Sequence, residues 1–246
     1  MEKTEIHLWS VPLSAAGAES CGFSEVLSPD EQRRADAFRF ERHRSRFIIG
    51  RALLRSILGW YLGQPGKRVV FKYGAKGKPA LDHSGRTLHF NLAHSEGRVV
   101  YAVSEACELG VDIELVRHLP ESESIARNFF SPEECAELFS LPPDKLTEGF
   151  FNCWTRKEAY LKAIGDGLMV PLNSFQVSLI PGQPAAFLSL IGDHYPISQW
   201  SLFHLDFPDG YLGALAIPLR SCTLHWRAFS DAVQCFEYLV NSGSSP

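Results

Sequence analysis

The chain has 246 residues, 45% of them hydrophobic and 12% aromatic, which is enough apolar surface for one large or two small domains and excludes a disordered chain. Its formal net charge of −4 and sequence pI near 6.1 exclude a general nucleic-acid binder, which carries a basic excess. Any polyanion it binds must meet a local basic patch.

The opening MEKTEIHLWSVPLS lacks the basic-then-apolar pattern of a leader, and a first strand is expected at Ile6 to Val11. LSPDEQRRADAFRF then carries a helix start, with Ser28 as N-cap, Pro29 at the first helical position and Glu31 completing a capping box. Helical periodicity continues, with a break near His43, through Phe47, Leu54, Ile57 and Tyr61 until Gly63-Gln64-Pro65-Gly66 ends it. Its most apolar stretch, FIIGRALLRSILGWYL, is interrupted by Arg51 and Arg55, so no membrane span is expected. Strand patterns follow at RVVFKY, TLHFNLAH, RVVYAVS and GVDIEL.

The second half opens in the same way. FFSPEECAELF repeats the Ser-Pro-x-Glu cap at Ser131 to Glu134, and FFNCWTRKEAYLKAIG reads as a longer helix ended by Gly165 and Gly167. Strands are expected at FQVSLI, QWSLFHL and YLGALAI, and the tail NSGSSP is expected to be disordered. The pattern predicts an α+β pseudo-dimer of two similar halves, residues 1–108 and 109–246, each an antiparallel sheet packed with a long helix. The site is expected at their interface, so one chain would build it and a monomer suffices. Six scattered cysteines show no C-x-x-C and no zinc or disulfide spacing, which points to a reduced, cytoplasmic protein.

At the seam, LGVDIEL places Val111 and Ile113 on one face of a strand and Asp112 and Glu114 on the other. Two anions on one face disfavour each other's ionisation, so the pair is either a solvated edge or half of a site holding something positive. On the second-half helix, Glu158 and Lys162 stack four residues apart, as a surface ion pair or as part of that site. A third carboxylate facing the first two would form an oxygen-rich cluster suited to Mg²⁺ with substrate phosphates.

Arginines crowd residues 33 to 55, most of them on a solvated helix face with two or three free to touch a ligand. KGKPAL offers Lys76 and Lys78 in the extended or turn geometry that precedes proline, as a phosphate contact or a plain basic turn. HFNLAHSEG ends a strand with His94, Ser95 and a turn at Glu96-Gly97. No G-x-S-x-G, H-E-x-x-H, Walker A or G-x-G-x-x-G pattern occurs, so His94 reads as a phosphate contact in preference to a triad base.

Taken in order, GKPAL, FNLAHS, GVDIE, FFSPEE and WTRKEAYLKAIGDGL resemble the Sfp-type 4'-phosphopantetheinyl transferases over residues 28 to 170. The resemblance implies transfer of the phosphopantetheine arm of coenzyme A to a serine of an apo acyl or peptidyl carrier protein, with release of 3',5'-ADP. It implies Asp112, Glu114 and Glu158 around Mg²⁺, with Glu158 also the base for the serine and Lys162 on the phosphates. By the same resemblance Arg34, Arg51, Lys78, His94 and Lys157 contact coenzyme A. Ala93 stands where the family often has serine, which removes one hydroxyl contact. FFSPEECAELFSLPPDKL and GFFNCW are either a carrier-docking groove or core. The competing readings are a coenzyme A-binding module without catalysis and a Mg²⁺-dependent hydrolase of nucleotide pyrophosphates.

Overall fold

In the computed structural model, which describes residues 4–13, 21–74, 78–82, 87–165, 170–190 and 196–242, the chain opens with β1 (Glu5–Pro12). Three helices follow, α1 (Phe23–Val26), α2 (Pro29–Asp36) and α3 (Glu41–Leu62), then β2 (Phe71–Tyr73), β3 (Pro79–Leu81), β4 (His89–Ser95), β5 (Arg98–Ser104) and β6 (Gly110–Leu115). The second half contains α4 (Ser122–Phe129), α5 (Pro132–Ser140) and α6 (Pro143–Ile164). It continues through β7 (Gln176–Val177), β8 (Phe187–Ser189), β9 (Ser201–Asp206), β10 (Tyr211–Ile217), β11 (Thr223–Ala228) and α7 (Ala232–Asn241). The helix break lies at residues 37–40, ahead of His43, because Phe40 is extended and opens α3. RVVFKY keeps only its last three residues as strand.

The two halves repeat one local device. Glu31, third in α2, accepts the Ser28 N–H at 2.9 Å and holds Arg51 and Arg55 of α3. Glu134, third in α5, accepts the Ser131 N–H at 2.8 Å and holds Lys157 of α6 at 2.8 Å. Each carboxylate thus closes a capping box and anchors the next long helix. Arg55 continues to the carbonyl of Val69, while Lys157 continues to those of Leu172 and Phe175. Both long helices have 22 residues and end on a left-handed glycine, Gly63 (φ 62°) and Gly165 (φ 70°), as helix C-termini favour. Gly167, Lys76 and the last four residues lie outside the described residues.

The larger sheet has strand order β11-β1-β5-β4 and the second β6-β10-β9, while β2-β3 and β7-β8 form separate two-stranded sheets. Alternation along β1 sends Trp9 and Val11 toward α3 and Ile6 and Leu8 to the opposite face. That opposite face, with Val100 and Ala102, packs on Val111, Ile113 and Leu215 of the second sheet. The second sheet's outer face carries Leu212, Ala214 and Ala216 against Tyr160, Leu161 and Ala163 of α6. The layers are therefore helix, sheet, sheet, helix, the two-part α+β architecture expected.

β11 runs parallel to β1, and Cys235 and Leu239 of α7 enter the core beneath α3. Residues 223–241 therefore complete the first half's sheet and core, although they follow the second half in sequence. No helix among the described residues is long and apolar enough to cross a membrane.

Candidate active site

β6 can lie directly on α6 because its first residue has no side chain. A Cβ at Gly110 would collide with the carbonyl oxygen of Ala159 and the amide nitrogen of Ala163, one helical turn apart. With Val111 and Ile113 committed to the core between the sheets, Asp112 and Glu114 face the other way, toward α6. Glu158 and Lys162, one turn apart on α6, share the face that meets them.

Lys162 is the positive group between the acids. Its Nζ donates to Asp112 Oδ1 at 2.6 Å. Asp112 is only 5% exposed, and its second oxygen, Oδ2, is buried without a hydrogen-bond partner. Burial pushes the Asp112 carboxyl up to about 7; Lys162 works against this, and Glu114 and Glu158 add to it. Burial also raises Glu158, which Lys162 partly offsets and Glu114 reinforces. Asp112 thus feels both other acids, and Glu158 feels Glu114 across the strand-helix gap.

The donor chemistry fits a hard divalent cation. Mg²⁺ takes one or two carboxylates and completes its shell with waters and substrate phosphates, so it needs no protein cage. The unpartnered Asp112 Oδ2 is a free oxygen donor that feels two further carboxylates, Glu114 and Glu158. Among the described residues, no three His, Cys, Asp or Glu side chains are already gathered as a complete metal-binding group. Lys162 holds one Asp112 oxygen instead.

His94 lies on the rim of this cluster. Its pKa is lowered by burial, Lys162 and Arg46, against the pull of Glu114, so the ring favours the neutral form although its edge reaches solvent. Arg46 also stands against the turn at Gly97. It is the basic group that links α3 to this rim.

A cleft of about 730 Å³ opens beside the C-terminus of α6, lined by Tyr73, Lys78, His89, Phe90, Glu108 and Gly165 among others. Lys78 donates to the carbonyl of Lys162 at 2.9 Å and to Glu108 at 3.0 Å. A lysine on terminal helix carbonyls complements the negative end of the helix dipole. Burial pushes the Glu108 carboxyl up, but Lys78 and His89 outweigh it and hold the group below the usual range. Arg51 reaches the cleft wall by donating to Tyr73 Oη at 2.6 Å. Arg34 is exposed and lies over the Phe47 ring at 5.2 Å.

Lys157 is not brought to the site. It is fully buried on another face of α6, bonded to Glu134, Leu172 and Phe175, and so holds the helix in place. Neighbouring helix positions diverge by about 100°, which is why Glu158 faces the acids while Lys157 faces the core. Half of the aromatics of FFSPEECAELF and GFFNCW are core: Phe130, Phe150 and Phe151 are buried, Trp154 is half-buried, and Phe129 and Phe139 remain exposed.

Two family models match the chain consecutively: the N-terminal region of 4'-phosphopantetheinyl transferases over residues 16–107, and the 4'-phosphopantetheinyl transferase superfamily over residues 108–216. The chain belongs to the 4'-phosphopantetheinyl transferase superfamily. The transferase is 40% identical to the 4'-phosphopantetheinyl transferase HetI of Nostoc sp. over 217 residues, 87% of each chain. It is 32% identical to the 4'-phosphopantetheinyl transferase Sfp of Bacillus subtilis over 64% of this chain and 68% of that one. It is 38% identical to the 4'-phosphopantetheinyl transferase AcpT of Escherichia coli over 50% and 58%. Two groups around the transferase's site escape a reading by motif: Arg46 and Glu108. For Glu108 the only signal is its place beside the seam, and for Arg46 its place in the arginine-rich segment.

Proposed function

We propose that this transferase moves the 4'-phosphopantetheine arm of coenzyme A to the serine hydroxyl of an apo acyl or peptidyl carrier protein, in a Mg²⁺-dependent reaction that releases 3',5'-ADP. The observation that carries the reading is Asp112 Oδ2, buried and unpartnered, on a carboxyl that feels the charges of both Glu114 and Glu158. Asp112, Glu114 and Glu158 would hold Mg²⁺, which when bound neutralises charge on the diphosphate.

The serine oxygen forms a bond to the phosphorus attached to the pantetheine arm. The bond from that phosphorus to the bridging oxygen breaks, and the electron pair leaves with 3',5'-ADP. The hydroxyl proton passes to Glu158, directly or through a water; beside a cation the carboxylate would stay ionised, so it orients the hydroxyl and takes the proton as the new bond forms. Lys162 donates toward the diphosphate from the position where it now donates to Asp112. His94 and Arg46 line the approach to the phosphates, and the cleft around Tyr73 and Lys78 takes the nucleotide. Arg51 supports that cleft through Tyr73, and Arg34 is a peripheral contact on the same side. All the residues assigned to the site here come from one chain, which supports a monomer as the working unit, and the free, scattered cysteines support a cytoplasmic setting.

The test incubates the protein with coenzyme A, Mg²⁺ and several apo carrier proteins and weighs the carriers by mass spectrometry. A carrier heavier by one phosphopantetheine arm, lost when Mg²⁺ is chelated, is the expected result. Consumption of coenzyme A with every carrier unchanged would mean hydrolysis, and an unchanged mixture would mean binding alone; either overturns the proposal. Glu158→Gln lowers turnover by about 10²-fold if Glu158 takes the proton. Unchanged rates across pH remove it from the chemistry.

A further inference from the structure

Among the described residues, the acid strand β6 has a backbone partner on one side only. Its ladder runs to β10, pairing Asp112 with Ala214 and Glu114 with Leu212. On its other side it meets the first sheet at β4, and there the connections come from β4 side chains. Asn91 Oδ1 accepts the Val111 N–H at 3.0 Å. Four residues on, Ser95 Oγ accepts the Leu115 N–H at 3.2 Å and donates its own hydrogen to Glu114 Oε2 at 2.5 Å. Asn91 and Ser95 share one face of β4 with buried Ala93 between them, and this spacing matches that of Val111 and Leu115 on β6.

Both side chains are buried, each about 9% exposed. Ser95 has one hydrogen and spends it on Glu114, so its orientation and that of the carboxylate are set together. The backbone at Ser95 is itself clamped. Beyond the Glu96-Gly97 turn, Arg98 donates to Asp209 at 3.0 Å and the Gly97 N–H donates to Tyr211 Oη at 3.3 Å, which ties this hairpin to the turn between β9 and β10.

We propose that Ser95 is a positioning residue for transfer: with Asn91 it splices β4 to the acid strand, and its hydroxyl aims the Glu114 carboxylate into the gap shared with Asp112 and Glu158. This rests on reading Glu114 as one of the acids that hold the divalent ion. Ala93 keeps the splice closed, because a small side chain lets the two strands approach between the bonded positions. The serine two residues after Ala93 thus serves the acid strand and is not a substitute phosphate contact.

The test compares wild type with Ser95→Ala, Ser95→Thr and Glu114→Gln. Mn²⁺ binding is measured with coenzyme A present and no carrier, beside melting temperature, kcat and the KM for coenzyme A. Ser95→Ala is expected to weaken Mn²⁺ binding and lower kcat by about tenfold to a hundredfold, as losing a partner of a metal-binding carboxylate does. Its melting temperature falls by a few degrees because the Leu115 N–H loses its acceptor, its KM stays near wild type, and Ser95→Thr, which keeps the hydroxyl, restores Mn²⁺ binding and kcat. Wild-type Mn²⁺ binding and kcat in Ser95→Ala, or a stably folded Ser95→Thr as poor as Ser95→Ala, overturns the proposal. If Glu114→Gln is impaired while Ser95→Ala is not, only the positioning role fails. If Glu114→Gln itself binds Mn²⁺ and turns over like wild type, the underlying assignment of Glu114 fails and the positioning role with it.

Discussion

Gly110 and Ala159 meet backbone to backbone: the strand that carries two of the acids touches the helix that carries the third at a point where no side chain fits. Gly110→Ala must therefore push β6 away from α6, because neither backbone can give way as a flexible side chain would. Overpacking of this kind costs about 1–3 kcal/mol, and the displacement separates Asp112 from Lys162. Thermal unfolding should show the loss of stability. Turnover should fall by more than the population of unfolded protein explains, and turnover equal to wild type would place the acids independently of this contact.

Lys157 and Glu134 offer the opposite case, a charge pair beside the site that serves the fold. Both side chains are almost wholly buried, at 0% and 2% exposure. Lys157→Met leaves Glu134 charged in the interior and should destabilise the protein by about 3–5 kcal/mol, whereas the double variant with Glu134→Leu should recover part of that loss. The KM for coenzyme A of whatever remains folded should be unchanged. A selective rise in KM in Lys157→Met would return this lysine to the substrate.

Lys78 joins two parts of the cleft at the end of α6, the C-terminal carbonyls of that helix and the Glu108 carboxylate. Lys78→Ala should raise the KM for coenzyme A by about tenfold, the equivalent of one charge-assisted contact, with a smaller change in kcat. Steady-state kinetics with a saturating carrier separate the two. A fall in kcat alone would show that Lys78 acts through the helix end and not on the nucleotide.

Acid should loosen the seam between the first and last strands. His7 of β1 lies edge-on to His225 of β11, and its Nδ1 shares a hydrogen bond with Tyr61 of α3. Glu5 approaches both imidazoles, and Arg227 of β11 adds positive charge nearby. Burial lowers the His7 pKa first of all, the Glu5 hydrogen bond opposes this, and His225 and Arg227 reinforce it. The unfolded chain therefore binds the proton more readily than the folded one. This contribution to stability is fully present above the ordinary histidine pKa of about 6.5 and is lost as pH falls through the window below it. Melting curves from about pH 7.5 down to about pH 5.5 should show a drop that His7→Gln reduces, and an equal drop in both proteins would exclude His7 as its source.

The sequence by itself determined the local pieces. Ser-Pro-x-Glu specified both helix starts because capping is decided within four residues, and both glutamates occupy the predicted position. GVDIEL read as a strand with its acids on one face because alternation is a property of the backbone, and Glu158 and Lys162 shared a face because of helical pitch. Chain order and spacing of the motifs were enough to reach the family.

Tertiary structure decided which of these pieces meet. The approach of β6 to α6 at Gly110, the burial that raises Asp112 and Glu158, and the insertion of Lys162 between them depend on contacts between segments about 50 residues apart. The same is true of Lys157: its charge and motif position suggested a ligand contact, but the rotation of α6 on its core turned it inward to Glu134. The return of β11 and α7 to the first half is a pairing across nearly the whole chain, and no local pattern encodes it. Spacing along the chain sets which way a side chain points, whereas burial and opposing charge set what it can do there, and those arise only when separate segments pack.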